Sequence, residues 1–350
     1  MSAGVTRERA SRDGDGAGSR KRAAIFAGLG RMGRVLLREA VTTSLFDVVA
    51  VVDVNRRAAV DAALTVDPAP RVFGSLHDAV TEVAADCCVI ATPSNRHGDD
   101  VAVALASGLD VFCEKPLTLQ VGQSRRLGRL AADHGLHLQV GLWRRYSKPF
   151  RMLRAAAETD LGEIVSVRAV QWDANPPPPS FCDPAVSGGL IVDCGIHEFD
   201  MASWIGCQPI GEPSVFPGLI VDANVAAVSD IDNVTVVSPT VGGVTLTVDL
   251  SLNCRYADDV RVEVLGTRGA AFLQTVPTWS LTTRLADGVV RHMAQEPGEP
   301  DAFVSGVRTE LAAFALRNVD EFTPGAEASA TALEHCLAAT RVLRASPVAG

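Results

Sequence analysis

The chain has 350 residues, 47% of them hydrophobic and 21% charged, and a formal net charge of -9, so it is long enough for two domains with buried cores. The acidic balance excludes a general nucleic-acid binder, which carries a basic footprint, and no apolar run reaches membrane-spanning length. The eight cysteines, at 87, 88, 113, 182, 194, 207, 254 and 336, form neither a CxxC pair nor a zinc-finger cluster, so a cytoplasmic, reduced protein without metal is expected.

Residues 1–21 read as a disordered extension. The first 22 residues hold six Lys/Arg against three acids, with Gly, Ser and Ala between them and no apolar stretch of a signal peptide. From there short β-branched runs alternate with amphipathic segments. Residues 23–27 read as a strand, 32–40 as a helix and 47–53 as a second strand. Residues 87–91 and 110–113 are further buried strands, about 96–107 and 118–134 are helical, and 137–140 closes the series. Nearly all-apolar strands alternating with helices imply a parallel sheet covered on both faces. The expectation is a doubly wound, dinucleotide-binding domain over 22–145.

Gly28-Leu29-Gly30-Arg31-Met32-Gly33 follows the first strand and opens a helix. Two glycines would let the backbone turn and approach a pyrophosphate, the third would let helix and strand pack closely, and the helix N-terminus would supply N–H donors. Alone, such a run is weak evidence. Asp53 strengthens it, because it ends the second strand 20 residues after Gly33, where a carboxylate accepts bonds from a ribose 2′-OH. Asp53 would repel a 2′-phosphate, so NAD is preferred to NADP, although Arg56 and Arg57 follow closely. The loop Thr92-Pro93-Ser94-Asn95-Arg96-His97 starts where a strand ends, the edge at which doubly wound sheets bind ligands. In Glu114-Lys115-Pro116 the proline keeps Lys115 out of helix geometry, at a place where an ammonium can stabilise a developing alkoxide.

The grammar changes after about residue 145. Residues 163–172 read as a long strand and 193–205 as one helix. Residues 234–237 and 244–252 read as an antiparallel hairpin across Gly242-Gly243, continued by 260–265 and 270–275. Helices over about 301–318 and 327–344 finish the chain. The expectation for 146–350 is an α+β domain with an open, mostly antiparallel sheet and helices on one face. Residues 176–179 read as a stiff proline insert. In the run 187–200, Asp193 and His197 are four apart and share one helical face. Singly they would be a helix cap and a core histidine. Together, a carboxylate beside an imidazole makes a sensible proton acceptor for an alcohol, with a nicotinamide as hydride acceptor.

The glycine fingerprint, 91–97, Cys113-Glu114-Lys115-Pro116, 141–146 and the Gly188–Asp200 run together resemble the glucose-fructose oxidoreductase / inositol dehydrogenase / rhizopine-catabolism (Gfo/Idh/MocA) family. The 188–200 run and 253–256 most resemble its inositol 2-dehydrogenase branch. The resemblance implies an NAD-binding Rossmann domain followed by a substrate domain whose sheet forms a homodimer or tetramer. It implies that Lys115 contacts substrate and nicotinamide, that His197 is the general base and that Asp193 assists it. Arg144, Asp173, Asn175, Cys194 and Tyr256 fall where that branch approaches substrate hydroxyls. The expected cofactor contacts are Gly28, Gly30, Arg31, Met32, Gly33, Asp53, Thr92, Pro93, Asn95, His97, Glu114 and Lys115. The loop around 176–179 is longer than in that branch, and Trp143 and Cys194 stand at positions that vary within it. The expected activity is oxidation of a ring secondary alcohol of a cyclitol, myo-inositol or an amino- or guanidino-inositol. The alternatives are a sugar or sugar-nucleotide dehydrogenase, a non-catalytic NAD sensor, and redox-assisted glycoside hydrolysis.

Overall fold

Mostly apolar strands and amphipathic helices build the first half of the chain. The computed structural model describes residues 20–174, 177–207, 210–320 and 322–345. Strands β1 (Arg22–Ala27), β2 (Phe46–Val52), β3 (Arg71–Phe73), β4 (Cys87–Ile90), β5 (Asp110–Glu114) and β6 (Leu138–Gly141) form one sheet in the order β3-β2-β1-β4-β5-β6. Every pairing in it is parallel. Helices α1 (Arg31–Thr43), α2 (Arg56–Ala63), α3 (Leu76–Glu82), α4 (Ser94–Ala106) and α5 (Val121–Asp133) make the crossovers. This is the doubly wound Rossmann arrangement, whose strand order reverses between β1 and β4. Local chemistry starts several of these helices: Asn55 caps α2 by accepting from the backbone of Arg57 and Ala58, and Ser75 caps α3 from Asp78.

A 3-10 turn (Trp143–Tyr146) leads into the second half, with α6 (Lys148–Thr159), β7 (Ile164–Trp172), α7 (Pro179–Cys182), α8 (Pro184–Ser187), α9 (Leu190–Asp193) and α10 (Gly195–Trp204). Then come β8 (Ser214–Pro217), α11 (Ala223–Ala227), β9 (Asn233–Pro239), β10 (Thr245–Ser251), β11 (Asp259–Gly266), β12 (Gly269–Gln274), β13 (Ser280–Leu285) and β14 (Val290–Ala294). Helices α12 (Ala302–Ala315) and α13 (Ala326–Ala345) end it. The eight strands lie in the order β14-β13-β12-β11-β7-β10-β9-β8, antiparallel except where β10 runs parallel to β7. Burial alternates along β9, β10 and β11. The inner residues join α6, α9 and α10 in one core with Phe150, Phe199 and Leu246, and the outer face is left open.

Three expectations need correction. Residues 193–205 are not one helix: α9 ends at Asp193 and α10 begins at Gly195, with Cys194 as the junction. The sheet extends two strands further than expected, to β13 and the edge strand β14: Ser280–Leu285 is rich in Thr and Ser, and Val290–Ala294 is exposed throughout. The boundary at 145/146 is not a clean division, since Val307, Leu311 and Phe314 of α12 pack into the Rossmann core with Leu36 and Phe112. The rings of Phe112 and Phe314 meet edge to face at 5.8 Å. Of the extension read at 1–21, only Arg20 and Lys21 are among the described residues, and Asn175 lies outside them.

Candidate active site

The carboxyl ends of β1 and β4 meet at the glycine-rich turn, and Lys115 after β5 reaches Asp193 at the end of α9. Gly28 has φ +85°, and a Cβ there would stand 2.4 Å from the backbone of Ala91 and Thr92. A Cβ on Gly33 would stand 1.8 Å from the Gly28 carbonyl oxygen, so α1 can lie against the turn only with glycine there. A Cβ on Gly30 would meet nothing within 4 Å. Gly30 therefore faces open space at the N-terminus of a 13-residue helix that has no side-chain cap and no acid in its first turn. That cradle fits a dinucleotide pyrophosphate. Arg31 and Met32 occupy the same first turn, Arg31 exposed and Met32 partly so.

Asp53 follows β2 and accepts from the backbone N–H of Leu29 and of Asn55, each at 2.7 Å. Its carboxylate thus stands at the lip of the glycine turn, where a ribose hydroxyl would be recognised. Arg57 is 92% exposed and reaches only Asp61, at 4.0 Å. Pro93 and Asn95 are exposed on the loop after β4, and Thr92 donates from its hydroxyl to Asp100 at 2.7 Å. His97 does not face the cleft. It is buried, with its ring nitrogens 2.8 Å from the Pro116 carbonyl and 2.7 Å from the Thr92 carbonyl. It ties the loop after β4 to the turn after β5, which corrects its expected role as a cofactor contact.

Lys115 spans the two halves of the chain. Its ammonium donates to both the carboxylate and the carbonyl of Asp193 at 2.6 Å. Burial is the largest single influence and would lower its pKa, but Asp193, Cys194 and Glu114 together outweigh it and hold Lys115 above the ordinary value. His197 is one turn further along, buried, with no hydrogen-bond partner for Nδ1 among the described residues and its ring edge-to-face with Trp143 at 6.2 Å. Burial drives its pKa well below the ordinary value, and the charges of Lys115 and Arg144 add to the drop. The imidazole is thus neutral at neutral pH, the state a proton acceptor needs. Glu114 is buried beside Gly141, and burial pushes its carboxyl up to about 7 against the pull of Lys115.

Asp173 lies just beyond β7 and accepts from the Gln171 amide at 3.1 Å and from the Cys194 thiol at 3.4 Å. Asp193, Cys194 and Asp173 are therefore brought together, with His197 on the helix that follows. Two expected substrate contacts are not. Arg144 is buried and ion-paired to Glu198 at 2.6 Å, with 3% and 0% side-chain exposure, so a charge read as available for substrate is already engaged. Tyr256 is 64% exposed and donates to Asp259 at 2.5 Å. It lines a separate cavity of about 520 Å³ on the open sheet face with Trp172, Phe216 and Asp249.

Three further residues shape the cleft without having been singled out. Glu198 pairs with Arg144. Asp230 accepts from the Leu190 backbone N–H at 3.0 Å and so steadies the turn bearing Asp193. Asp200 makes a two-pronged ion pair with Arg145 at 2.6 and 2.9 Å. The acids at 198 and 200 are visible in the sequence beside His197, whereas nothing local marks Asp230.

Residues 22–142 match the family model described as "Oxidoreductase family, NAD-binding Rossmann fold", and residues 150–272 match the Gfo/Idh/MocA C-terminal domain. The rhizopine catabolism protein MocA of Rhizobium meliloti is 35% identical over 192 residues, a stretch covering 55% of this chain and 58% of that protein. Inositol 2-dehydrogenase of Cereibacter sphaeroides is 30% identical over 270 residues, covering 77% of each chain. Among solved structures, GenD2 from gentamicin A biosynthesis, in complex with NAD, superposes with a TM-score of 0.80 at 23% identity, over 96% of this chain and 98% of that one.

Proposed function

Since the chain belongs to the Gfo/Idh/MocA oxidoreductase family, we propose that it is an NAD-dependent dehydrogenase oxidising a ring secondary alcohol of a cyclitol to the ketone. The observation that supports this reading most is the meeting of Lys115 from the first half with Asp193 from the second, at 2.6 Å, one turn from a neutral His197. Bound in the glycine-floored cleft, NAD would supply the acceptor for the carbinol hydride. The protein's own groups handle the proton. His197 accepts it from the hydroxyl, Lys115 offsets the negative charge that develops on the oxygen, and Asp193 holds the ammonium in place. Asp53 at the lip of the turn supports NAD over NADP, because its carboxylate would repel a 2′-phosphate.

The substrate reading extends to aminated or guanidinated cyclitols. Asp173 has only neutral donors, an amide and a thiol, and no ion pair among the described residues includes it. Burial raises its pKa, and Asp258 and Asp193 add to the rise, so an ammonium placed there is favoured. The names of the rhizopine catabolism relative and of the inositol 2-dehydrogenase are consistent with this class. We further read the protein as cytoplasmic, in keeping with eight buried free cysteines, and as a homo-oligomer through the open sheet face. No helix among the described residues is long and apolar enough to cross a membrane.

NADH absorbance during incubation with NAD or NADP and a panel of cyclitols, hexoses and sugar nucleotides tests the proposal. NADH is expected with a cyclitol. Preference for a sugar nucleotide would favour the alternative substrate class. NAD binding with no turnover of any panel member would leave a cofactor sensor.

A further inference from the structure

Next to His197 begins a chain of polar groups, an ion pair followed by hydrogen bonds of fixed direction. Arg144 is tied on one side to Glu198, next to His197, and its guanidinium lies 5.7 and 5.3 Å from the ring centroids of Trp143 and Phe150. On the other side its Nη2 donates to the Gln171 amide oxygen at 2.7 Å. A guanidinium can only donate, so the oxygen end of Gln171 must face Arg144. The amide nitrogen is then left for Asp173, at 3.1 and 3.3 Å from its two carboxylate oxygens. The flipped amide would set N–H groups against the guanidinium and oxygen against the carboxylate, repulsive at both ends.

We propose that Gln171, oriented by Arg144, is a positioning residue that sets specificity: it keeps Asp173 a pure hydrogen-bond acceptor, so the adjoining subsite takes a donor on the substrate ring, hydroxyl or ammonium, rather than an ether or carbonyl oxygen. For the substrate this deepens, and rests on, the dehydrogenase reading; for the state of Asp173 it does not. Burial is the largest influence raising the Asp173 carboxyl, and the Gln171 amide is the first of the groups that oppose it, ahead of the Cys194 thiol. Without the amide the carboxyl keeps its proton to higher pH and becomes a donor, reversing what the subsite recognises. Arg144 acts one link further back. It is a poor place to test the idea, because its removal leaves the buried Glu198 carboxyl without its partner.

Gln171→Met keeps the length of the side chain and removes both polar ends. Carboxyl-carbon NMR titration of the full-length, cofactor-free protein, with Asp173→Asn to assign the signal, should show Asp173 titrating at higher pH in the variant. Kinetically, KM for myo-inositol or an aminocyclitol should rise about tenfold or more, the usual size of a charged hydrogen bond, with a much smaller change in kcat. The acid limb of kcat/KM should move to higher pH. Melting temperature and NAD affinity by fluorescence report whether the fold is intact. If Gln171→Met fails to fold, Gln171→Glu decides: it still accepts from Arg144, and its added negative charge should move the titration the same way. An unchanged Asp173 titration in the folded variant overturns the proposal whether or not any cyclitol is oxidised. A shifted titration in a protein that turns over no polyol supports the positioning role and sinks the dehydrogenase reading instead.

Discussion

At the scale of single residues, the same buried pocket pushes two neighbouring cations in opposite directions. His197 lacks a carboxylate partner and loses its proton readily, while Lys115 has Asp193 and keeps its own. His197 is charged only well below its ordinary pKa, so activity should stay level from neutral pH downward and fall only in distinctly acid buffer. His197→Ala should lower kcat by about 10²–10⁴-fold, the range for a general base, and near wild-type turnover would remove it from the mechanism. Asp193→Asn removes the leading influence that raises Lys115, so burial should prevail and the alkaline limb of the pH profile should move to lower pH. A second residue-scale case is Glu310, fully buried on α12 with neither carboxyl oxygen hydrogen-bonded in the described structure. Burial, then the nearby Glu114 charge, raises its pKa well above the ordinary value. The folded state therefore holds a proton that the unfolded state releases. The stability linked to that proton is complete below the unfolded pKa and is lost as pH rises through the folded one. Glu310→Gln should raise the melting temperature by a few degrees at pH 8 and much less at pH 4; equal shifts at both would refute the linkage.

At the scale of elements, three glycines do three different jobs within one turn. Gly28 and Gly33 are demanded by the protein's own backbone, at 2.4 and 1.8 Å from a hypothetical Cβ, whereas Gly30 is demanded by nothing in the protein. Gly30 also has φ -68°, which alanine adopts without strain. Gly30→Ala should thus melt like the parent yet bind NAD about tenfold or more weakly, while Gly33→Ala should lose stability outright as α1 is pushed from the turn. Equal NAD affinity in folded Gly30→Ala would place the pyrophosphate elsewhere. His97 belongs at this scale as well, since it joins two loops instead of meeting a ligand. Its burial under Pro116 depends on how α4 and the turn after β5 pack, which no spacing in the sequence reveals.

For the whole molecule, the late helices α12 and α13 return to the first half and make one body of two sheets. Phe314 stacks near His137 and Phe112 of the Rossmann sheet, and Arg125 of α5 bridges Glu327 and Glu334 of α13. The open face of the large sheet is the complementary feature. Phe216, Leu265 and Phe272 stand exposed on it, and the cavity holding Tyr256 opens there. Apolar side chains on a broad, uncovered sheet mark an interface, which supports the homo-oligomer reading. Phe272→Glu should shift sedimentation velocity towards a smaller species without altering the melting of isolated subunits. An unchanged oligomer, or a monomeric parent, would count against that face.

Alternation of strand and helix, the glycine turn with Asp53 and the spacing of Lys115-Pro116 were legible in the amino-acid order, because each depends on neighbours within a few residues or on a period of two or 3.6. The same holds for the spacing of Asp193 and His197, four apart on the chain, although α9 ends and α10 begins between them. What the order of residues could not disclose was which charges were already spoken for. Arg144 looked available until Glu198 and Gln171 closed around it, Tyr256 looked like a substrate contact until the turn before β11 carried it to the open face, and α12 looked like part of the second domain until it covered Phe112 of the first. Pairing between groups tens or hundreds of positions apart is settled by packing and desolvation in three dimensions, and only the folded structure decides it.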